Sequence, residues 1–399
     1  MKDSSIFLKA IPIIETIQQH GYEAYFVGGA VRDYFLHRPV HDVDIATSAL
    51  PNEVMAIFSD TIPLATEHGT VIVRYKKEQY EVTTFRKEEA YIDFRHPEKV
   101  QFIRRLEEDL KRRDFTMNAL AMTSQFEVID LFLGKTDIKT KLIRTVGNPD
   151  DRFQEDPLRI MRAVRFISQL CFQLEKKTKQ AMRRQKEKLA YISVERISQE
   201  MDRLWLGPCV SQALTAMKEL QLFSVLPGAK WMTDTIILRF DGFEQCETVE
   251  QAWTLFAYIA QVSNLSTFLR TWKFSRERMK KVTILYEGIK AYQDASFSDY
   301  DRFRLGKTFL LDVVRLYAIL SNKKVETCIR REATLFDALP IKHEKELVIT
   351  AKEMIEIVQK KPGPWIRECQ KEIIQGILDK KIENDYHTLK EWINRWHQH

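Results

Sequence analysis

The spacing of hydrophobic residues changes along the chain. Near the start, the segment "GTVIVRYKKEQYEVTTFR" alternates apolar and polar residues on both sides of a polar turn at residues 76–78, which predicts a β-hairpin. After Asp150, apolar residues recur three and four positions apart in segments such as "PLRIMRAVRFISQL" and "ISVERISQEMDRLW". This spacing is typical of amphipathic helices. The pattern therefore predicts a mixed α/β head followed by a helical remainder.

Further elements of the head follow from turn and helix-end signals. A helix is predicted to end at Gly21, and Pro51 is placed near the start of another helix. In chain order, the predicted elements are helix "SIFLKAIPIIETIQQHGY", strand "EAYFVGG", helix "AVRDYFLH", strand "HDVDIAT", helix "LPNEVMAIFSD", the hairpin and strand "EVIDLF". Strands and helices thus alternate through the first third of the chain.

Composition narrows the classes of protein. The chain has 399 residues, of which 44% are hydrophobic, enough for more than one domain core. We find neither a membrane-length apolar stretch nor a secretory signal, which predicts a cytoplasmic protein. The five cysteines are widely spaced without a C-x-x-C pair, so we expect free thiols and no zinc site. The net charge of +6 permits a polyanionic partner.

Two aspartates stand close together in the apolar segment "VHDVDIAT". In a strand, Asp42 and Asp44 would point to one face while Val43 and Ile45 face the core. Two neighbouring carboxylates repel each other, and a divalent cation would remove that conflict, with Mg²⁺ suited to such oxygen ligands. A bare D-x-D is common by chance, and its alternative reading is a polar strand end that caps turns or pairs with a basic neighbour.

The residues before the aspartates strengthen the metal interpretation. Gly28 and Gly29 lie at a predicted strand-to-helix junction, where glycine lets the backbone approach a ligand closely. The following helix start and Arg32 could contact a triphosphate. A glycine pair, an arginine and D-x-D in this order together predict a nucleotide site.

The combination in "FVGGAVRDYFLHRPVHDVDIAT" resembles the signature of the polymerase β nucleotidyltransferase superfamily. Its longer form is similar to that of the class II tRNA nucleotidyltransferases, including CCA-adding enzymes of Gram-positive bacteria, and to that of bacterial poly(A) polymerases. The resemblance implies an α+β fold with a polymerase β-like palm in the head, followed by all-α neck, body and tail domains. It also implies that Asp42 and Asp44 hold catalytic Mg²⁺. The superfamily often uses a third carboxylate, for which Glu81 is the candidate.

The segment "RRDFTMNALAM" resembles the family's sugar-binding motif. By this resemblance, Arg113 and Asp114 would contact ribose hydroxyls. Asn118 lies four residues after Asp114 and could orient that carboxylate. Without the resemblance, an aspartate at this place is usually a helix cap.

A third segment, "EDPLRIMRAVRF", predicts a helix with Ile160, Val164 and Ile167 on one face. Arg159, Arg162 and Arg165 lie on the opposite side. The ordinary interpretation is an amphipathic helix with solvated arginines.

The same segment resembles the family's E-D-x-x-R motif, an amino-acid template for base selection. Asp156 accepts and Arg159 donates hydrogen bonds, which matches the Watson–Crick edges of cytosine and adenine. Guanine or uracil would leave a mismatched polar pair, costing roughly 1–3 kcal/mol. Arg162 and Arg165 would reach phosphates or RNA.

Three other segments bear on activity. The polar stretch "KEEAYIDFRHPEKVQFIRRLEEDL" resembles the flexible loop that CC-only relatives lack. The family's hinge reads D-x-x-G-G, and here Leu133 replaces the first glycine between Asp130 and Gly134. Near the end, Trp365 follows a predicted helix break and is expected to be a core residue.

Together these features predict a tRNA nucleotidyltransferase that adds C, C and A to the tRNA 3′ end from CTP and ATP. The alternatives are an A-adding enzyme or poly(A) polymerase on the same scaffold and, from another class, a non-catalytic tRNA-binding protein. Expected partners are the tRNA acceptor stem and elbow, with neither a membrane nor an obligate protein partner. The predicted domains are the head (1–150), neck (151–225), body (226–320) and tail (321–399).

Overall fold

The structure is a computed structural model that describes residues 5–65, 67, 69–91, 97–231, 241–294 and 297–397, except for the side chains of residues 65, 88–91 and 97–100. The chain divides into two compact units, residues 1–230 and 231–399. The first unit contains the strands described below, and the second is built from helices. An α+β head followed by helical domains is therefore confirmed.

A seven-stranded mixed sheet forms the centre of the first unit, in the order β3-β4-β5-β2-β1-β8-β9. Its strands are β1 (Ala24–Val27), β2 (Asp44–Thr47), β3 (Thr61–Ala65), β4 (Thr70–Tyr75), β5 (Glu78–Thr84), β8 (Leu120–Met122) and β9 (Val128–Asp130). Strands β2 and β5 run parallel, and the other neighbouring pairs described in this sheet are antiparallel. The predicted β4–β5 hairpin is confirmed, with its turn at Lys76 and Lys77.

Ten helices belong to the described part of the first unit. They are α1 (Ser5–Gln19), α2 (Gly29–Phe35), α3 (Pro51–Ile57), α4 (Leu106–Lys111), α5 (Gly134–Lys139), α6 (Pro149–Glu155), α7 (Leu158–Leu170), α8 (Lys176–Gln185), α9 (Val194–Trp205) and α10 (Val210–Glu219). Phe7 of α1 packs edge-on against Phe26 of β1, and both side chains are fully buried. Pro51 opens α3 as predicted, at a position where no intrahelical N–H donor is needed.

The segment between the hairpin and the second motif is not the simple polar loop expected from its composition. It contains β6 (Arg86–Tyr91) and β7 (Pro97–Phe102), which pair antiparallel in a separate two-stranded sheet, followed by α4. Pro97 stands at the first residue of its strand, where a missing N–H donor costs little. Paired strands satisfy the backbone of a polar segment without a hydrophobic core, which is why composition alone did not reveal them. Residues 92–96 lie outside the described part.

Two other elements differ in detail from the prediction. Strand β2 begins only at Asp44, so Asp42 lies in the segment just before it. The alternation is confirmed nevertheless, because Val43 and Ile45 are buried while both aspartates are exposed.

A short parallel pair of strands was not predicted. It consists of β10 (Leu142–Ile143) and β11 (Gln173–Leu174), which lie before and after the helices α6 and α7.

The arginine face of α7 is not solvated, contrary to the simple amphipathic interpretation. Arg159 and Arg165 are each only 6% exposed. Both side chains meet carboxylates of the same unit. The arginines are therefore interior ion-pair partners, a placement that helical periodicity cannot distinguish from a solvated face.

The expectation of free thiols is wrong for two of the five cysteines. Cys171, at the C-terminal end of α7, forms a disulfide with Cys209, just before α10. Their Cα atoms are 5.5 Å apart, within the range that a disulfide requires. A sequence separation of 38 residues without a spacing motif gives no signal of this pairing.

The second unit consists of packed helices. They are α11 (Val249–Ile259), α12 (Leu265–Thr271), α13 (Arg276–Gln293), α14 (Asp299–Leu320), α15 (Val325–Asp337), α16 (Ala351–Val358), α17 (Trp365–Leu378) and α18 (Tyr386–Trp396). Trp253 and Trp272 pack together in one core region, and Trp365 is buried in another, as expected. Gly288 brings α13 close to α14, since a Cβ there would lie 2.4 Å from a methyl carbon of Val313. No helix within the described residues combines the length and apolarity that crossing a bilayer requires.

Candidate active site

The glycine turn after β1 brings two motifs of the sequence together. Gly28 has φ +73°, a left-handed conformation that glycine adopts without strain. A Cβ at Gly28 would lie 3.1 Å from Nη1 of Arg113 and 3.8 Å from Oδ2 of Asp44. The turn therefore places the backbone directly beside one metal-ligand candidate and one sugar-motif arginine, and a Cβ there would press on the guanidinium of Arg113.

Asp44 has two other carboxylates in its neighbourhood near the start of β2. Asp44 is the register partner of Glu81 on the parallel strand β5, and Asp42 lies two residues earlier in the chain. Although Asp44 is exposed at the surface, the protein packed around its carboxyl group partly removes it from water, which raises its pKa; the charges of Asp42 and Glu81 raise this pKa further, while Arg113 lowers it. The site thus holds more negative charge than the protein itself compensates.

This donor set fits a divalent cation. Carboxylate oxygens are the ligands that hard cations such as Mg²⁺ prefer, and a bound cation would remove the repulsion around Asp44. Within the described residues, no three acidic, histidine or cysteine side chains form a ready metal cage. Asp42 and Asp44 would therefore hold part of the coordination sphere, and Glu81 lies close enough in register to support them.

The second motif is organised around a buried aspartate. Asp114 accepts hydrogen bonds from Nε and Nη2 of Arg162, at 2.8 and 2.6 Å, and from Nδ2 of Asn118 at 3.0 Å. Burial alone would raise the pKa of Asp114, but Arg162 and the hydrogen bonds of Asn118 and the Phe115 N–H lower it to about 2. The predicted contact between Asn118 and Asp114 is confirmed, although only a short 3₁₀ turn, Thr116–Asn118, joins them.

Arg32 has an interior position. Its guanidinium donates to Oδ1 of Asn118 at 2.6 Å and to both carboxylate oxygens of Asp33. It lies 5.1 Å from the ring centre of Phe166, and Gly29 leaves room for it. Arg32 thus supports Asn118, and its predicted contact with a triphosphate stays a prediction.

The template candidates lie where α6 ends and α7 begins. Arg159 donates to Oε2 of Glu155 at 2.8 Å and to the backbone carbonyls of Arg152 and Arg112 at 3.0 and 3.1 Å. Asp156 caps the start of α7 by accepting from the Leu158 N–H, and its other oxygen accepts from Arg196 at 3.2 Å. Each of the two side chains is anchored by protein partners of its own. Their selection of a base stays a prediction.

The other arginines of α7 reach partners inside the first unit. Arg162 bridges Asp114 and Glu200, and Arg165 forms an ion pair with Glu200 at 3.2 Å. Burial lowers the pKa of Arg165 to about 10, despite the charge of Glu200. Arg165 also lies 4.3 Å from the ring centre of Phe166. The predicted contacts of Arg162 and Arg165 with phosphates or RNA therefore have internal competitors.

Sequence reasoning missed two carboxylates that hold these arginines. Asp109 of α4 is 1% exposed and accepts from Nε and Nη2 of Arg112, at 2.9 and 2.7 Å, and from Nη2 of Arg113 at 3.1 Å. Its spacing of three and four residues from these arginines was an available helical signal. The second missed carboxylate is Glu200 of α9. It lies three residues after Ile197, on the buried side of that helix.

The hinge segment explains the family's glycine preference. Leu133 adopts φ +62° in the left-handed region, and its side chain is 69% exposed. Asp130 accepts hydrogen bonds from the N–H groups of Gly134 and Lys135. A Cβ at Gly134 would lie 2.3 Å from the carbonyl oxygen of Thr116, so that glycine is required by close packing. Leucine at position 133 therefore keeps the turn at a cost in backbone strain.

Comparison with known proteins agrees with this geometry. The family "Poly A polymerase head domain" matches residues 24–144, "Probable RNA and SrmB- binding site of polymerase A" matches 171–232, and "tRNA nucleotidyltransferase domain 2 putative" matches 244–393. These three family matches agree with the palm-like sheet and with the carboxylates beside the glycine turn. Together they define the chain as a nucleotidyltransferase.

Similar proteins of known name identify the family to which this nucleotidyltransferase belongs. The chain is 44% identical to the CCA-adding enzyme of Bacillus cereus over 388 residues, covering 97% of this chain and 98% of the relative. It is also 44% identical to the enzyme of that name from Bacillus mycoides, with 98% of each covered. The chain belongs to the CCA-adding enzyme family, which confirms the resemblance inferred from the motifs.

Solved structures show the same fold. The crystal structure of the Bacillus stearothermophilus CCA-adding enzyme in complex with CTP has a TM-score of 0.90 and 38% identity, with 100% of this chain and 98% of that chain covered. The Thermotoga maritima CCA-adding enzyme complexed with tRNA is 19% identical, with a TM-score of 0.65 and 98% and 95% of the two chains covered. That second likeness shows the fold alone.

Proposed function

We propose that this chain adds C, C and A in turn to the tRNA 3′ end, using CTP and ATP without a nucleic-acid template. The observation that carries the proposal is the placement of Asp44 beside the Gly28 turn and Arg113, with Asp42 two residues before it, in a chain 44% identical over its length to CCA-adding enzymes. The expected reaction is attack of the RNA 3′-hydroxyl on the α-phosphate. A phosphodiester bond forms, and pyrophosphate leaves with the bridging oxygen.

Asp42, Asp44 and Arg113 have different proposed roles in the reaction. Asp42 and Asp44 would hold divalent ions, which we propose to be Mg²⁺, supplying charge neutralisation at the attacking and leaving oxygens. Arg113 faces the same turn and would orient the incoming nucleotide. Asp114, kept ionised by Arg162 and Asn118, already accepts two hydrogen bonds on each oxygen, so a hydrogen bond from a ribose hydroxyl would replace one of these internal donors.

Base selection would rest on Asp156 and Arg159. Both are anchored by protein hydrogen bonds, which lowers the entropy lost when they meet a base edge. Arg159→Ala is expected to relax the preference for CTP over UTP by about 10- to 100-fold, the equivalent of the roughly 1–3 kcal/mol of an unpaired polar group. A CTP-to-UTP ratio of kcat/KM equal to that of the wild type would contradict the template role, whatever the variant's stability.

Three wider features complete the proposal. The chemical step would take place in the predicted head (1–150). The predicted neck (151–225), body (226–320) and tail (321–399) would bind the acceptor stem and elbow of tRNA through their shape and their phosphates. We propose a cytoplasmic location, a compartment in which a disulfide such as Cys171–Cys209 is uncommon. The alternatives, an A-adding enzyme or a poly(A) polymerase, share the head and differ in product.

One assay separates these activities. Labelled CTP and ATP are offered separately and together to tRNAs that end before CCA, after C and after CC. A CCA-adding enzyme incorporates C on the first two substrates and a single A on the third. An A-adding enzyme uses only the third tRNA, a poly(A) polymerase extends with many adenosines, and a non-catalytic tRNA-binding protein incorporates nothing.

A further inference from the structure

A cationic pocket lies in the second unit, remote in sequence from every motif used above. The cavity has a volume of about 580 Å³, within the range of ligand-binding pockets. It is formed by the first part of α14, the turn around residues 342–344 and the first half of α17. The cations that line it are Arg304, Lys342, Arg367 and Lys371, and His343 joins them.

The charge of this pocket is poorly compensated. Among the described residues that line it, Glu344 is the one acid, against four cationic side chains. In the part of the chain that the structure describes, neither Arg367 nor Lys371 is engaged in an ion pair, and both side chains are exposed. Arg304 reaches Asp301 only at 3.9 Å. The pocket therefore presents several donors to solvent at one place.

The backbone of α14 is broken at this pocket. Gly306 has φ +70° and ψ +160°, a combination that is essentially restricted to glycine. A Cβ on Gly306 would meet no atom within 4 Å, so the conformation and not lack of space requires glycine. The break interrupts the helix beside Arg304, at the edge of the cavity.

Aromatic side chains complete the lining. Phe303 and Tyr300 stand about one and two turns before the break, and both border the cavity. His343 accepts a hydrogen bond from the Lys345 N–H on Nδ1, which leaves Nε2 to donate outward when the ring is neutral. Cations, a ring N–H and an aromatic wall suit a phosphodiester flanked by nucleosides better than a bare inorganic anion.

We propose that this pocket binds the phosphate backbone of the RNA substrate. The inference rests on the proposed function, since it requires tRNA to be that substrate. Arg367 and Lys371 lie one turn apart on α17 and would contact adjacent phosphates, with Arg304 on the opposite wall. The site contributes affinity for RNA and takes no part in the chemical step.

Charge reversal tests the proposal. Arg367→Glu with Lys371→Glu is compared with Lys280→Glu with Lys390→Glu, a control with the same net charge at exposed positions outside the pocket. The Kd for a tRNA lacking CCA is measured against KCl concentration. The pocket variant is expected to weaken binding about tenfold and reduce the slope of log K against log salt by about 1.5, since each lost phosphate contact removes about 0.7–0.9. The KM for CTP and the kcat at saturating tRNA should stay unchanged.

Lysine modification gives a second readout. Acetylation of Lys342 and Lys371 in the wild-type protein, followed by mass spectrometry, is expected to slow when tRNA is added. Protection by inorganic pyrophosphate but not by tRNA would identify a small-anion site and overturn the proposal. The neutral pair Arg367→Gln with Lys371→Gln serves if charge reversal disturbs folding, and it should lose about half as much affinity on a logarithmic scale.

The outcomes separate this proposal from the function on which it rests. If the wild type neither binds tRNA nor incorporates nucleotides, the proposed function fails and this inference fails with it. If the wild type is active but the pocket and control variants bind tRNA equally well, only the pocket proposal is wrong.

Discussion

Asp109 offers a sharp test of how the site is held together. Its buried carboxylate receives three N–H contacts from Arg112 and Arg113, and it also accepts from the Arg86 N–H at the base of β6 at 3.3 Å. Burial would raise its pKa, but the two arginines lower it. Asp109→Asn keeps the shape and removes the charge that fixes Arg113 over the Gly28 turn.

The magnitude follows from the contacts. A hydrogen bond to a charged group contributes roughly 1.5–3 kcal/mol, and the arginines, whose side chains are 17–18% exposed, recover part of this from water. We expect Asp109→Asn to lower the free energy of unfolding by about 2–4 kcal/mol. If Arg113 then loses one charge-assisted contact with the nucleotide, the KM for CTP should rise about 10- to 100-fold.

The assay separates positioning from stability. Steady-state CTP incorporation and the Kd for tRNA are measured at 25 °C for Asp109→Asn and for Glu107→Gln, which removes an exposed carboxylate from the same helix. The control should leave KM within about twofold, since exposed ion pairs contribute 0–1 kcal/mol. The reasoning is refuted if both variants behave alike, or if the KM for CTP and the Kd for tRNA change by the same factor.

Three other predictions concern the metal site, the hinge and the cysteines. Asp42→Ala should abolish CTP incorporation while the Kd for tRNA stays nearly unchanged, because the change removes a metal ligand and no RNA contact; parallel loss of both would make Asp42 structural. Leu133→Gly should stabilise the first unit by about 0.5–1 kcal/mol in urea unfolding, because relief of the left-handed strain exceeds the added chain entropy; a destabilised variant would show that Leu133 packs usefully. After mild oxidation and denaturation without reductant, thiol titration should find three reactive cysteines, and five after reduction; five before reduction would exclude the Cys171–Cys209 bridge.

Local chemistry in the sequence was enough to predict much of the site. Val43 and Ile45 alternate with Asp42 and Asp44, and this period-2 pattern alone placed the carboxylates on the solvent side of β2. The spacing of Asn118 from Asp114 likewise predicted their contact. Such features depend on residues that are close along the chain, where backbone geometry leaves few alternatives.

The arginines of α7 show where this reasoning stops. Periodicity set Arg159 and Arg165 on the polar side of a helix, and the same pattern fits a solvated face or an interior one. Whether the arginines are solvated or buried depends on which carboxylates from other elements lie near them. Here Glu200 of α9 forms the ion pair with Arg165. The pairing of β6 with β7 and the Cys171–Cys209 disulfide are similar, because each depends on a partner that the local sequence does not specify.

The sequence by itself determined the class of protein, through the resemblance of its motifs to a known family. It also determined the main elements of the head and the carboxylate pair at the start of β2, because short-range spacing and glycine requirements encode these directly. The tertiary structure alone decided that Arg113 meets Gly28 and Asp44, that Glu200 holds arginines of α7, and that the break at Gly306 lies beside a cationic pocket. These contacts join residues tens of positions apart. Their energies depend on burial and on the geometry of charged partners, which exist only after the chain has packed.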